Sequence, residues 1–91
     1  MNFDLTTTEW EEVENLTDDK IYILQAKSVN VLDYFVRYDV VDVLFAQSAT
    51  EPADNKTGFV GSEFKFKKVS GVKIYIKAIS TPVNIDVQEV H

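Results

Sequence analysis

The sequence has 91 residues, of which 45% are hydrophobic and 12% aromatic, and at this length it holds one small core and no second domain. It contains no cysteine, which excludes disulfides and cysteine-ligated zinc, so we expect modest stability or association with other subunits. Its net charge of −6 argues against a nucleic-acid-binding protein, and no apolar run reaches the roughly 18 residues of a membrane span.

The first 19 residues are acidic, with seven carboxylates and no base. A capping box at Thr6 and Glu9, followed by apolar residues at three-residue spacing from position 10 to 16, leaves a short helix possible. We favour an extended arm, because the segment has few apolar anchors and short helices are marginal without packing. The sequence therefore predicts an acidic N-terminal arm over residues 1–19, with a turn at 15–19 that leads into a single β domain over residues 20–91.

Two segments in the middle of the chain are rich in β-branched and aromatic residues, which favour strands. Residues 20–26 are predicted to form one strand. Residues 29–46 are predicted to form two strands with a break near 37–39, although their apolar spacing also fits a helix. Residues 47–57 contain proline, aspartate and asparagine and are predicted to form a loop.

The C-terminal third has the clearest periodicity in the chain. Apolar residues alternate with lysines over residues 63–68 and again over 72–78, a pattern typical of strands with one face in a core. Residues 83–90 alternate in the same way after a proline, and residues 58–61 are predicted to form a short strand flanked by glycines. This third of the chain is therefore predicted to contain four strands.

The spacing between the two lysine-bearing strands predicts a hairpin with a defined register. A three-residue loop with Gly71 in the left-handed conformation pairs Phe66 with Ile74 and keeps the apolar residues on one side. The same register places Lys67 opposite Lys73. Two like charges in this position destabilise the pair, so we expect an acidic segment nearby.

The number and spacing of the strands define the expected fold. Six or seven strands with short connections predict an all-β chain, folded as a small antiparallel β-sandwich or a jelly-roll-like domain. The predicted hairpin gives this acidic molecule one basic face. That face consists of Lys65, Lys67, Lys73, Tyr75 and Lys77.

Residue types that carry catalysis or bind metals are scarce in this sequence. The only histidine is His91, at the last position, and only three glycines are present, so neither a histidine-based site nor a glycine-rich phosphate loop is predicted. Acidic segments at 18–19 and 51–55 lack the spacing of a calcium loop. We therefore predict a protein without enzymatic activity, cofactor or metal.

The basic face admits three interpretations. Lysines commonly protect the exposed edge of a sheet, and this role needs no partner. A surface for single-stranded nucleic acid combines lysines with aromatic residues, but Tyr75 is the one aromatic residue on this face and the chain is acidic. Contact with an acidic protein surface is the third interpretation. Trp10 is similarly either part of the core or an anchor into a neighbouring subunit.

The order of several short motifs resembles that of a known family. The motifs are Tyr22-Ile23-Leu24-Gln25, a loop with Pro52, Gly58-Phe59-Val60, Phe64 and Phe66, Val72 to Ala78, and Val87-Gln88-Glu89. In this order they resemble the small β-sandwich virion proteins of tailed bacteriophages, which serve as capsid decoration, head-fibre bases or tail components. The resemblance spans residues 20–89.

The resemblance implies a multimeric structural protein of the virion, assembled in the cytoplasm of a bacterial host, with no substrate or cofactor. Its partners would be further copies of itself, with a trimer as one option, and a major capsid or tail protein; nucleic acid and membrane are not expected partners. We expect the acidic arm of one copy to lie against the basic face of its neighbour or of the shell. The expected partner-binding residues are Trp10, Glu11, Glu12, Lys65, Lys67, Lys73, Tyr75 and Lys77.

A second class of function stays open. A β domain with a polar loop at 47–57 and exposed tyrosines also suits the binding of a small ligand or a carbohydrate. Glycan binding by a monomer would distinguish such a binding module from a structural subunit, whose oligomeric mass would exceed that of one chain.

Overall fold

The computed structural model describes residues 1–32, 34–53 and 58–91. These residues form two antiparallel sheets around a shared core and contain no helix, so the all-β prediction is confirmed and the arrangement is consistent with a sandwich. Nine strands are described, against the six or seven expected. They are β1 (Asn2–Leu5), β2 (Trp10–Glu12), β3 (Ile21–Leu32), β4 (Phe35–Val40), β5 (Val43–Ser48), β6 (Phe59–Gly61), β7 (Glu63–Lys67), β8 (Lys73–Ala78) and β9 (Val83–Val90).

The first sheet has the strand order β1-β9-β3-β4, and the second has the order β2-β8-β5-β6. In the first sheet, β3 is long enough to take two partners in succession along one side: β7 pairs with residues 21–25, and β4 pairs with residues 27–32. The exchange occurs at Ala26. Its N–H donates to the Ser62 carbonyl (2.9 Å), and its carbonyl accepts from the Val41 N–H (3.3 Å).

The core lies between the inner faces of the two sheets. Side chains alternate between core and solvent along β9, where Val83, Ile85 and Val87 are buried as the sequence predicts. The two sheets meet through aromatic rings: Phe45 of the second sheet stacks on Phe64 of the first, with ring centroids 4.5 Å apart. Such a pair contributes roughly 0.5–1.5 kcal/mol beyond the area that it buries.

The hairpin predicted from residues 63–68 and 72–78 is wrong. Both segments form strands, but β7 belongs to the first sheet and β8 to the second, so the chain between them passes from one sheet to the other. Gly71 has the expected positive φ, 80°, in the intervening turn. The local geometry was therefore predictable from the glycine, whereas the pairing was not.

The register expected within that hairpin is wrong as well. Phe66 pairs with Tyr22 of the first sheet and not with Ile74. Lys67 and Lys73 lie in different sheets and do not face each other. Alternation shows which side chains point to the core, but it does not show whether two strands are neighbours in one sheet or lie opposite each other across the core.

Residues 1–19 form no helix, and they contribute an edge strand to each sheet. β1 pairs with β9 in the first sheet, and β2 pairs with β8 in the second. Leu5 and Val13 are buried in the core, so this segment is an integral part of the fold and not a separate arm. The predicted turn that follows is present, with positive φ at Asn15 and Asp19.

The described part of residues 29–46 contains strands and no helix. These residues complete β3 and form β4 and much of β5. The predicted break near 37–39 is wrong, because these residues lie within β4. The chain instead reverses between Leu32 and Phe35, and after β4 it passes at 41–42 from the first sheet to β5 in the second. Asp33, next to the first reversal, lies outside the described residues.

Candidate functional site

The exposed large apolar side chains of the described residues are most frequent along β4 and at the tip of the β3–β4 hairpin. Tyr34 is 99% exposed, Phe35 and Val40 are each 74% exposed, and Tyr38 is 62% exposed. Exposed apolar patches on folded proteins are candidate contacts with other molecules. Residues 34–40 are named the β4 edge below.

The β4 edge is exposed because the hairpin extends beyond the body of the first sheet. β9, the strand on the other side of β3, pairs with β3 only as far as Ser28. Over residues 29–32, the backbone of β3 pairs with β4 alone. Within the described residues β4 is the last strand of its sheet, and the molecule is elongated, at 45 × 33 × 18 Å.

The backbone groups on the outer side of β4 belong to Val36, Tyr38 and Val40. In an antiparallel pair, the N–H and C=O of alternate residues point toward the partner strand. The Val41 N–H bonds to a β3 carbonyl, which places the odd-numbered residues of 35–41 in the set that bonds to β3. The three residues between them therefore direct their N–H and C=O groups away from the sheet.

The two faces of β4 differ in chemistry. Val36, Tyr38 and Val40 form an apolar row on the outer face of the sheet. Arg37 and Asp39 lie on the opposite face, where Arg37 Nε is 2.9 Å from Asp39 Oδ1 and the arginine side chain is 65% exposed. An exposed ion pair contributes about 0–1 kcal/mol to stability. Little free energy is therefore lost if Arg37 and Asp39 separate and each pairs with another charge.

Five of the predicted partner-binding residues come together, but they do so within one molecule. Because β2 pairs with β8, Glu12 Oε1 lies 3.7 Å from Lys73 Nζ, and Lys77 Nζ lies 5.9 Å from the centroid of the Trp10 ring. The acidic segment expected near the lysines is therefore the N-terminal segment of the same chain. The five residues share the outer face of the second sheet and are Trp10, Glu12, Lys73, Tyr75 and Lys77.

The other three predicted residues lie elsewhere. Lys65 and Lys67 are exposed on the outer face of the first sheet, on the opposite side of the molecule. Glu11 is half-buried and in register with the buried Ile76, on the inner side of β2. The single basic face that the sequence predicts is therefore divided between two sheets and does not exist as one surface.

Tyr75 was expected to be exposed, and this is wrong, because only 6% of it is exposed. It lies in the middle of the second sheet, in register with Glu12 on one side and Ala46 on the other. A large side chain in a central strand is partly covered by its cross-strand neighbours even on the outer face. Alternation predicts the face of a residue but not its position across the sheet.

A shallow depression beside β2 includes part of the loop predicted at 47–57. An indole next to carboxylates is a combination that binds a ligand by ring contact and hydrogen bonds together. Residues 54–57 of the loop lie outside the described residues. The depression is lined by Glu9, Trp10, Glu51, Pro52, Ala53 and Lys77.

Sequence reasoning missed the β4 edge as a candidate site. Five of the seven residues from 34 to 40 are apolar, a density that predicts a buried strand. The sequence feature that could have indicated an open edge is the absence of lysine and proline from these residues, since both commonly protect an exposed edge strand. That signal is informative only once β4 is known to be an edge.

Across the described ranges, no group of three or more side chains is arranged to hold a metal ion, and no charged side chain is buried. None of the described residues belongs to a helix with the length and apolarity needed to cross a membrane. Comparisons with models of protein families, with curated proteins and with solved structures find no match to this chain. Function is therefore inferred from the surface of this molecule.

Proposed function

We propose that this chain is a non-enzymatic structural subunit that assembles as a multimer and binds the surface of a virion capsid or tail. The observation that carries the proposal is the β4 edge. Removing apolar surface from water is favourable by about 25 cal/mol for each Å². A partner that covers these large apolar side chains therefore gains binding free energy. The resemblance of residues 20–89 to small virion proteins supplies the class of partner.

The tip of the hairpin is the part of the β4 edge best placed to reach a large surface. Tyr34 is almost fully exposed, and Phe35 follows it at the end of a hairpin that extends beyond the sheet. Buried aromatic anchors contribute a large share of the binding energy at protein interfaces. The lysines of the second sheet are less suited to this role, because Lys73 and Lys77 already contact the N-terminal segment.

Particle binding tests the proposal. A tagged chain is produced in bacteria that are assembling phage particles, the particles are banded in a density gradient, and the amount of chain per particle is quantified. The wild-type chain is expected to band with the particles. The double variant Tyr34→Ser/Phe35→Ser is expected to reduce occupancy by roughly tenfold or more, because loss of an aromatic anchor costs about 2 kcal/mol.

Ile79→Ser is the matched control for this experiment. Ile79 is also an exposed apolar residue, at 56%, but it follows β8 in the second sheet. Its replacement is expected to leave occupancy unchanged. Equal occupancy of the two variants would place the contact outside the tip, and absence of the wild-type chain from every particle fraction would contradict the virion role.

The depression beside β2 supports a second candidate, a module that binds a carbohydrate or another small ligand. Trp10 is the only tryptophan, so its fluorescence reports on this site alone. If the candidate is correct, glycans that bind the chain on an array will also shift the Trp10 emission in solution, and Glu51→Ala will weaken both responses. Glycan binding that leaves the emission unchanged, or no binding at all, would exclude it.

A further inference from the structure

Within the described residues, the side of β4 that faces away from β3 has no partner strand. No strand there bonds to the outward N–H and C=O groups of Val36, Tyr38 and Val40. Natural edge strands are usually protected by lysine, proline or a bulge, because an open edge pairs readily with another strand. β4 contains neither lysine nor proline and pairs with β3 without a bulge, and its two charged side chains, Arg37 and Asp39, have opposite signs. Its edge is therefore open to a strand whose charges complement these two.

We propose that β4 pairs antiparallel with β4 of a second copy of this chain, across a two-fold axis at Tyr38. The first sheet then continues from one molecule into the other. The inference rests on the proposed function, since it names how two copies of the proposed multimer meet. A two-fold contact uses the same patch on both copies and closes after two, so the expected oligomer is a dimer and not a trimer.

Hydrogen-bonding parity limits the registers that such a dimer can adopt. Val36, Tyr38 and Val40 carry the outward groups, so they must lie opposite one another in the new ladder. Three registers then place the axis near the middle of the strand, at Arg37, at Tyr38 or at Asp39. The charges on β4 decide among these three.

Only the register centred on Tyr38 avoids a pair of like charges. With the axis at Arg37 the two arginines of the dimer face each other, and with the axis at Asp39 the two aspartates do so, which destabilises both arrangements. With the axis at Tyr38, Arg37 of each copy lies opposite Asp39 of the other. Both of these cross-strand pairs have opposite charge, so the strand is complementary to itself in this register.

The same register also brings exposed apolar side chains opposite each other. Val36 of each copy lies opposite Val40 of the other, and the two Tyr38 side chains meet at the axis. The apolar row on the outer face thereby becomes continuous across the dimer, and its side chains are partly covered by their cross-strand neighbours.

Charge reversal tests this register. Arg37→Asp leaves two acids on β4 and Asp39→Arg leaves two bases, so each variant repels its own copies, whereas an equimolar mixture restores opposite charges at both pairs. By light scattering we expect wild type at twice the 10.4 kDa of one chain and each variant alone to self-associate roughly tenfold more weakly. The mixture is expected to recover the mass of two chains.

Recovery on mixing separates charge repulsion between copies from a failure to fold, because an unfolded variant does not regain a dimer from a second variant. A wild-type chain that has the mass of one chain overturns the proposal. Single variants that associate as strongly as wild type overturn it as well, and so does a mixture that stays at the mass of one chain.

Tyr38→Pro tests the same contact through the backbone. It removes an N–H that points away from β3, and an edge strand tolerates proline where the N–H faces solvent. We expect this variant to keep its far-ultraviolet circular dichroism and to have the mass of one chain, while Tyr38→Phe keeps the dimer. A folded, dimeric Tyr38→Pro variant would place the contact elsewhere and overturn the proposal.

The dimer and the particle contact can fail independently. A wild-type chain that is monomeric but still bands with particles overturns the dimer and leaves the proposed function in place. A dimer whose charge-reversed variants behave as expected, but which is absent from every particle fraction, overturns the proposed function and leaves the dimer in place.

Discussion

Replacing Leu5 with alanine is expected to lower the free energy of unfolding by about 2–5 kcal/mol. Leu5 is fully buried, and it is the last residue of β1, in register with Val83 of β9. Domains of this size unfold with a free energy of roughly 5–15 kcal/mol, so the loss is a large share of the total. Urea denaturation followed by circular dichroism measures it directly.

Thr7→Ala is the control for this prediction. Thr7 is exposed in the segment between β1 and β2, and its replacement is expected to change stability by less than about 0.5 kcal/mol. The comparison separates two pictures of residues 1–19. If they were a separate arm, both variants would be as stable as wild type, and that result would contradict the packing of Leu5 in the core.

Replacing Gly58 with alanine is the second substitution with a large expected effect. Gly58 has a φ of 104°, a conformation that costs other residues about 1–3 kcal/mol. An added Cβ would also overlap the carbonyl oxygen of Phe45, so β6 could not keep its position beside β5. We expect a loss of stability above the backbone cost alone, measured as a shift of the urea midpoint.

Gly71→Ala is the matched control, because Gly71 also has a positive φ but an added Cβ there meets no atom within 4 Å. Its loss of stability is expected to reflect the backbone conformation alone, about 1–2 kcal/mol. The difference between the two variants measures the close approach of β6 to β5. Equal losses would mean that Gly58 is required for its φ and not for space.

Strands whose signal is local were predictable from the sequence. Residues 83–90 alternate apolar and polar side chains along β9, because one face of the strand lies against the core. The same holds for β7 and β8, whose observed bounds lie close to the predicted ones. The positive φ of Gly71 was predictable for a similar reason, since it depends on the turn itself.

Pairing between strands was not predictable in this way. Phe66 and Ile74 both point to the core, and this is equally true of two neighbours in one sheet and of two strands on opposite sides of a core. The lysines on β7 and β8 therefore appeared to form one face although they lie on two. The acidic partner of Lys73 does lie in the N-terminal segment, but in the same molecule and not in a neighbouring copy.

The β4 edge was not predicted as a site because its apolar composition is typical of a buried strand. Apolar residues from Tyr34 to Val40 predict burial on composition alone, yet burial depends on whether another layer lies over the strand. Periodicity carries no information about where a hairpin leaves the body of a sheet. The exposure of the β4 edge is therefore a property of the topology, visible only after β3 has been traced past the end of its pairing with β9.

The pairing of the N-terminal strands has a consequence for the order of folding during synthesis. Asn2 is in register with Asp86, and Trp10 with Lys77, so β1 and β2 are made first but gain their partners only when β9 and β8 have left the ribosome. Pairings between such distant segments form slowly. Until then Leu5 has no partner strand and stays exposed to chaperones, while the local β3–β4 hairpin already has both of its strands.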